Sequence, residues 1–246
     1  QQPVEALKGP ACWSLPDVAP TVVLWGDSHA LAWQPLVWRL AQSEGVSATA
    51  ITMNSCAPSG LAPAVAPVRR LDRHCAAFNA LAMRWLASGA ADTLVLGLRW
   101  PLVAHAEGPV PGTLAANIRG IEAIAEGLPP GMRILVIGPL PVLRRPAPTC
   151  IAMGWDRDCA RPRSEHLRAS APAWRELEAL AARHPRIELI DPTHYFCPGD
   201  ACPTARDGHG LYWDSNHVTA TAARAFADRY LADPASFRRR PAPVQP

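Results

Sequence analysis

The sequence predicts an α/β domain, a three-layer, doubly wound sandwich around about five parallel strands. Three observations predict it. Short apolar, β-branched runs alternate with stretches of helical spacing, the pattern of successive βαβ units. The runs are apolar at nearly every position, as strands covered on both faces require. The chain has 246 residues, 49% of them hydrophobic and 18% charged, enough for one sizeable core. Five such strands fit a flavodoxin-like arrangement.

The elements follow in order. Residues 1–20 carry Pro and Gly without periodicity and read as an irregular lead-in, lacking the charged-then-apolar layout of a signal peptide. Thr21–Trp25 is the first strand, closed by Gly26-Asp27-Ser28, and His29–Glu44 is helical. Ser47–Met53 is the second strand. Asp72–Ser88 is a helix, with Cys75, Phe78, Leu81, Ala82 and Trp85 spaced by threes and fours. Thr93–Leu98 is the third strand, Thr113–Leu128 a helix and Arg133–Gly138 the fourth strand. Ser164–His184 is helical, with Pro172 as a kink or restart. Ile187–Asp191 is the fifth strand, and Thr219 caps a last helix ending at Ala232. The domain therefore spans 21–233, and 234–246 reads as a basic, Pro-rich, disordered tail.

Composition excludes several classes. No apolar run approaches the length of a membrane span. A formal net charge of +3, spread along the chain, makes no case for nucleic acid. Lys8 is the single lysine among 24 basic residues, which reads as compositional bias and carries no site information. Nothing calls for a cofactor, and a monomer is the default for a domain of this size.

The long loops 54–70, 99–112, 139–163 and 192–216 all follow strands, so they gather at the carboxyl edge of a parallel sheet, where ligands bind. Ser28 stands there, at a strand-to-helix turn. It is either a helix cap or a nucleophile that needs a base. Asp214 and His217 lie three apart in the turn before the last helix, at the same edge. A carboxylate there can hold one imidazole nitrogen while the other faces a serine. The conjunction favours catalysis over a capping serine and an ordinary loop pair.

Gly26-Asp27-Ser28-His29 with Asp214-x-x-His217 resembles the SGNH (GDSL-type) hydrolase superfamily. It is most similar to the periplasmic SGNH domains fused to acyltransferase-3 membrane proteins. The resemblance runs from about Thr21 to Tyr230. It includes Asn54-Ser55-Cys56-Ala57-Pro58, Cys75-x-x-Phe78-Asn79, Leu96-Gly97-Leu98-Arg99-Trp100, Gly138-Pro139-Leu140-Pro141, and Tyr195-Phe196-Cys197-Pro198 through Cys202.

The resemblance implies an acyl-transfer enzyme of the bacterial periplasm or another extracytoplasmic site, without metal or cofactor. Ser28, His217 and Asp214 form its triad. Its partners are a glycan acceptor, an acyl donor and a membrane acyltransferase domain upstream. Where the superfamily carries an oxyanion Asn in a Gly-x-Asn-Asp block, this chain has Gly97-x-Arg99-Trp100. Gly26, Asn54 and Arg99 are the candidate oxyanion groups; Asn54 equally reads as a turn cap and Arg99 as a salt bridge. His29, Trp100 and Trp213 are candidate substrate-lining residues, with core packing as the rival for each tryptophan. Asp27 shapes the turn.

Seven cysteines suggest disulfides and a remainder. The resemblance pairs Cys56–Cys75, Cys150–Cys159 and Cys197–Cys202, leaving Cys12 unpaired, with a partner expected upstream. Zinc on Cys197 and Cys202, with His194 or His209, is the rival. Three functions follow: O-acetyl transfer to a cell-envelope glycan, a secreted carbohydrate esterase on the same residues, and a non-catalytic glycan-binding module.

Overall fold

The computed structural model describes residues 13–61, 70–100 and 113–239. Five parallel strands form the sheet: β1 (Pro20–Gly26), β2 (Ser47–Thr52), β3 (Thr93–Gly97), β4 (Arg133–Ile137) and β5 (Ile187–Ile190). A sixth strand, β6 (Arg238–Arg239), joins antiparallel at the edge, giving the order β6-β5-β4-β3-β1-β2. The parallel part is the flavodoxin-like order, with its switch point between β1 and β3.

Helices cover both faces. Around β1 and β2 lie α1 (Ser28–Ala32) and α2 (Gln34–Ser43); α3 (Arg70–Ala87) and α4 (Thr113–Gly127) follow, then α5 (Arg163–Arg183) and α6 (Ala220–Ala232). Period-two alternation sorts the strand residues. Val23 and Trp25 face one core, shared with α3, α4 and α5. Val22 and Leu24 face the other, shared with α1, α2 and α6.

The sequence expectations differ from the structure in instructive places. The expected helix His29–Glu44 is two helices, divided at Trp33. Pro35 explains the break, because it lacks the N–H that a continuous helix would donate to Leu31. Helix α5 runs through Pro172 without restarting. Thr219 caps α6 as expected, its hydroxyl accepting from the Ala222 amide at 3.1 Å.

Part of the stretch read as a disordered tail is ordered. Pro234–Phe237 is a 3₁₀ turn and Arg238–Arg239 is β6. Arg238 pairs with Glu188 at 3.1 Å, and Arg239 with Asp191 at 3.0 Å while lying 4.5 Å over the Trp174 ring. Two residues are too few to show strand periodicity, and their order comes from these distant partners. The remaining tail, 240–246, lies outside the described residues. Cys12 and most of the lead-in, 1–12, lie outside them as well. Ser14 is tied to β2, its amide donating to the Ala48 carbonyl at 2.8 Å.

Disulfides join Cys56–Cys75, Cys150–Cys159 and Cys197–Cys202, all on segments at the carboxyl edge. Cys197 and Cys202 thus bond each other rather than presenting thiolates to zinc. Such stapling fits an oxidising, extracytoplasmic compartment. Replacing both Cys56 and Cys75 by Ser should lower the unfolding free energy by about 3 kcal/mol, from restored loop entropy in the unfolded chain. Urea titration tests this; a loss below about 1 kcal/mol would contradict it.

Candidate active site

The site is assembled by close packing where β1 meets β3. Gly26 is opposite Gly97 in the parallel register. A Cβ on Gly26 would lie 1.7 Å from the Gly97 carbonyl oxygen, and one on Gly97 would lie 2.9 Å from the Ala30 Cα. The two glycines therefore let the first turn of α1 sit directly on the strand ends. Gly26 has no left-handed backbone, and its carbonyl accepts from the Met53 amide at 3.0 Å. Its part is spacing, and it does not line the cleft expected to hold an oxyanion.

Asp27 fixes the turn. Its buried carboxylate accepts from the His29 amide and, across the switch point, from the Arg99 amide, each at 2.8 Å. Burial pushes its carboxyl above the ordinary range, against the pull of these amides and that of Ala30. With the His29 and Ala30 amides turned onto Asp27, the Ser28 amide is outside that network.

Ser28 then meets the last loop. His217 Nε2 is 2.9 Å from Ser28 Oγ, and His217 Nδ1 is 2.6 Å from Asp214 Oδ2. The other Asp214 oxygen accepts from the amides of Asn216 and His217, each at 2.7 Å. Burial raises the Asp214 pKa, but these amides and the imidazole outweigh it and hold the carboxyl below its ordinary value. It is thus ionised and oriented toward the ring. The loop is closed by a bridge between Tyr212 and Val218, and held from outside: the amides of Leu143 and Ala147 donate to the carbonyls of Ser215 and Asp214 at 2.8 and 2.9 Å. No sequence signal marks those two supporting residues.

A cleft of 740 Å³ opens over Ser28 and His217, lined also by Leu31, Asn54, Trp213 and Val218. Asn54 is exposed there, in a turn closed by the Cys56 amide on the Met53 carbonyl, with Ser55 at φ 59°. Trp213, 66% exposed, stands at the lip with its ring 6.0 Å from that of His217.

Three expected site residues are placed differently. Trp100 is buried, its indole N–H donating to the Ile137 carbonyl at 2.9 Å, so it packs the sheet edge and does not line the cleft. Arg99 is exposed beside the site but outside the cleft lining; its fixed group is the backbone amide held by Asp27. Neither the salt bridge nor a cleft-facing guanidinium is found for it among the described residues. His29 is buried behind Ser28 and His217, its ring centroid 4.2 Å from that of His217.

Burial, with His217 and Arg99 nearby, holds the His29 pKa down to about 3, so its ring is neutral beside His217. Burial similarly holds that of His166, on the buried face of α5, down to about 4. The unfolded chain protonates both near their ordinary value, so acid favours unfolding. Stability is full above about pH 6.5 and falls as pH drops from there, by at most about 1.4 kcal/mol per pH unit for each ring. Urea midpoints at pH 7 and pH 5 should therefore differ, and His166→Gln should flatten part of the slope. Equal midpoints would refute the two neutral rings.

The family to which the fold belongs is one of α/β enzymes of the acyltransferase and esterase class. The chain belongs to the family of SGNH domains fused to AT3 domains, whose model matches residues 2–232. Among solved structures it is similar to the periplasmic domain of a lipopolysaccharide acetyltransferase from Salmonella ser. Paratyphi A. That similarity has a TM-score of 0.61 at 16% identity, covering 88% of this chain and 85% of that one. A more distant likeness is to the C-terminal catalytic domain of peptidoglycan O-acetyltransferase A from Streptococcus pneumoniae. Its TM-score is 0.38 at 14% identity, covering 87% of this chain and 92% of that one. No curated protein sequence matches the chain.

Proposed function

We propose that the protein is a serine O-acyltransferase that moves an acetyl group onto a hydroxyl of a cell-envelope glycan. The observation that carries the reading is the continuous series Ser28 Oγ, His217, Asp214 at 2.9 and 2.6 Å. His217 Nε2 takes the Ser28 proton as Oγ attacks the acyl carbonyl. The resulting oxyanion is met by the Ser28 amide and the Asn54 side chain. Collapse expels the donor's leaving oxygen, which takes the proton from His217, and leaves acetyl-Ser28. A sugar hydroxyl then gives its proton to His217 and attacks the acetyl carbonyl, and the second collapse returns Ser28 Oγ its proton. Asp214 stays ionised throughout and stabilises the imidazolium.

Family membership supports the partners. That the family's SGNH domains are fused to AT3 domains supports a membrane domain as the source of the acyl group, and the disulfides suit the periplasm. The lipopolysaccharide acetyltransferase likeness points to an envelope glycan as acceptor. The openness of the cleft, with Trp213 exposed at its lip, favours hydrolysis as the competing reaction. Incubation with an acetyl-ester donor and an envelope glycan should yield acetylated glycan by mass spectrometry. Free acetate with no acetylated glycan would replace the transferase by an esterase.

A further inference from the structure

A second cavity, of 470 Å³, lies beside the catalytic cleft, and the two share Gln34 and Pro35. From there the second cavity continues past Trp38, Arg39 and Arg224 to Gly45 and Val46. The helices explain the path. Gln34, Trp38 and Gln42 recur every fourth residue on α2, and Ala220 and Arg224 do the same on α6. Their first turns border the cleft over Ser28, and their second turns border the adjoining cavity. From Gln34 to Gln42 the groove advances about 12 Å along α2.

The walls are built. On one side Ser14 and Leu15 are pinned to β2: the Ala48 amide donates to Ser14 Oγ at 2.8 Å, and the Leu15 amide to Ser47 Oγ at 3.2 Å. On the other, Arg39 Nε donates to Asp228 at 3.0 Å, tying α2 to α6. That ion pair neutralises Arg39. Among the described residues, exposed Arg224 makes no ion pair and no carboxylate lines the cavity. The groove therefore combines a half-buried indole, two glutamine amides and one uncompensated cation.

We propose that this groove holds the acceptor, an extended anionic glycan whose acidic residue pairs with Arg224 and whose sugar face lies on Trp38, several residues from the hydroxyl presented to Ser28. An indole face suits a sugar ring, guanidinium a carboxylate or phosphate, and the amides hydroxyl groups. The proposal rests on the acyl-transfer reading, and its test separates the two. Tetragalacturonate and neutral cellotetraose are titrated into the Ser28→Ala protein, and the Trp38 indole N–H resonance, assigned with Trp38→Phe, is followed by NMR.

Tetragalacturonate should shift that resonance and bind more tightly than cellotetraose. Adding Arg224→Gln should weaken tetragalacturonate about fivefold, the effect of one exposed ion pair, and leave cellotetraose unchanged. An unmoved Trp38 resonance, equal affinities for the two glycans, or no effect of Arg224→Gln would each overturn the groove. Labelling of wild-type Ser28 by a fluorophosphonate tests the catalytic reading alone. Labelling without charge-dependent glycan binding overturns only the groove, and failure to label overturns the triad whatever the glycans do.

Discussion

Ser28→Ala is expected to lower acyl-ester turnover by about 10⁶-fold and to abolish labelling by a fluorophosphonate, with circular dichroism and the urea midpoint near wild type. The size follows from the proposed mechanism, in which Ser28 is the nucleophile. The hydroxyl is a poor nucleophile unless His217 removes its proton, and His217 sits 2.9 Å away with its other nitrogen on Asp214. His217→Ala should cost about as much as Ser28→Ala, and the double variant no more than either alone, because the groups act as a unit. Asp214→Asn should fall short of that, near 10⁴-fold, by leaving the ring in the wrong tautomer. Additive losses, or labelling of Ser28 that survives His217→Ala, would dismiss the triad; no labelling of the wild type, with glycan binding intact in Ser28→Ala, would replace the enzyme by a glycan-binding module.

That pairing joins residues 189 apart in the chain, yet it was legible in the sequence. Alternating strands and helices force every strand-following loop to one edge, so two short motifs at such loops meet without any knowledge of side-chain placement. The same reasoning found the five parallel strands to within a residue or two. What it missed depends on neighbours distant in sequence. Trp100 could line a cleft or fill a gap, and only the Ile137 carbonyl beneath it decides for packing. In the sequence Arg99 offers its guanidinium, whereas its fixed group is an amide that Asp27 recruits across the switch point. Arg238 and Arg239 carry no strand signal, and their order depends on Glu188, Asp191 and Trp174.

Gly26→Ala should be the most damaging single methyl in the molecule. From sequence alone Gly26 closes the first strand at a turn, with no measure of the space around it. The structure gives it negative φ and almost no space: the added Cβ meets the Gly97 carbonyl oxygen at 1.7 Å and the Ala30 Cβ at 2.7 Å. Backbone on one side and a helix seated on the strand ends on the other leave no flexible side chain to yield. Relief requires β1 to part from β3 or α1 to lift. Either costs about 3 kcal/mol or more, and either carries Ser28 away from His217. A displacement of about 1 Å at the nucleophile is enough for a further loss of about 10²-fold in turnover, so folded variant protein should still be impaired. Gly131→Ala is the matched comparison, since a Cβ there meets nothing within 4 Å. It should leave both the urea midpoint and turnover unchanged or slightly raise the midpoint. Wild-type stability in Gly26→Ala would mean that β1 and β3 do not approach as closely as the placement of Ser28 requires.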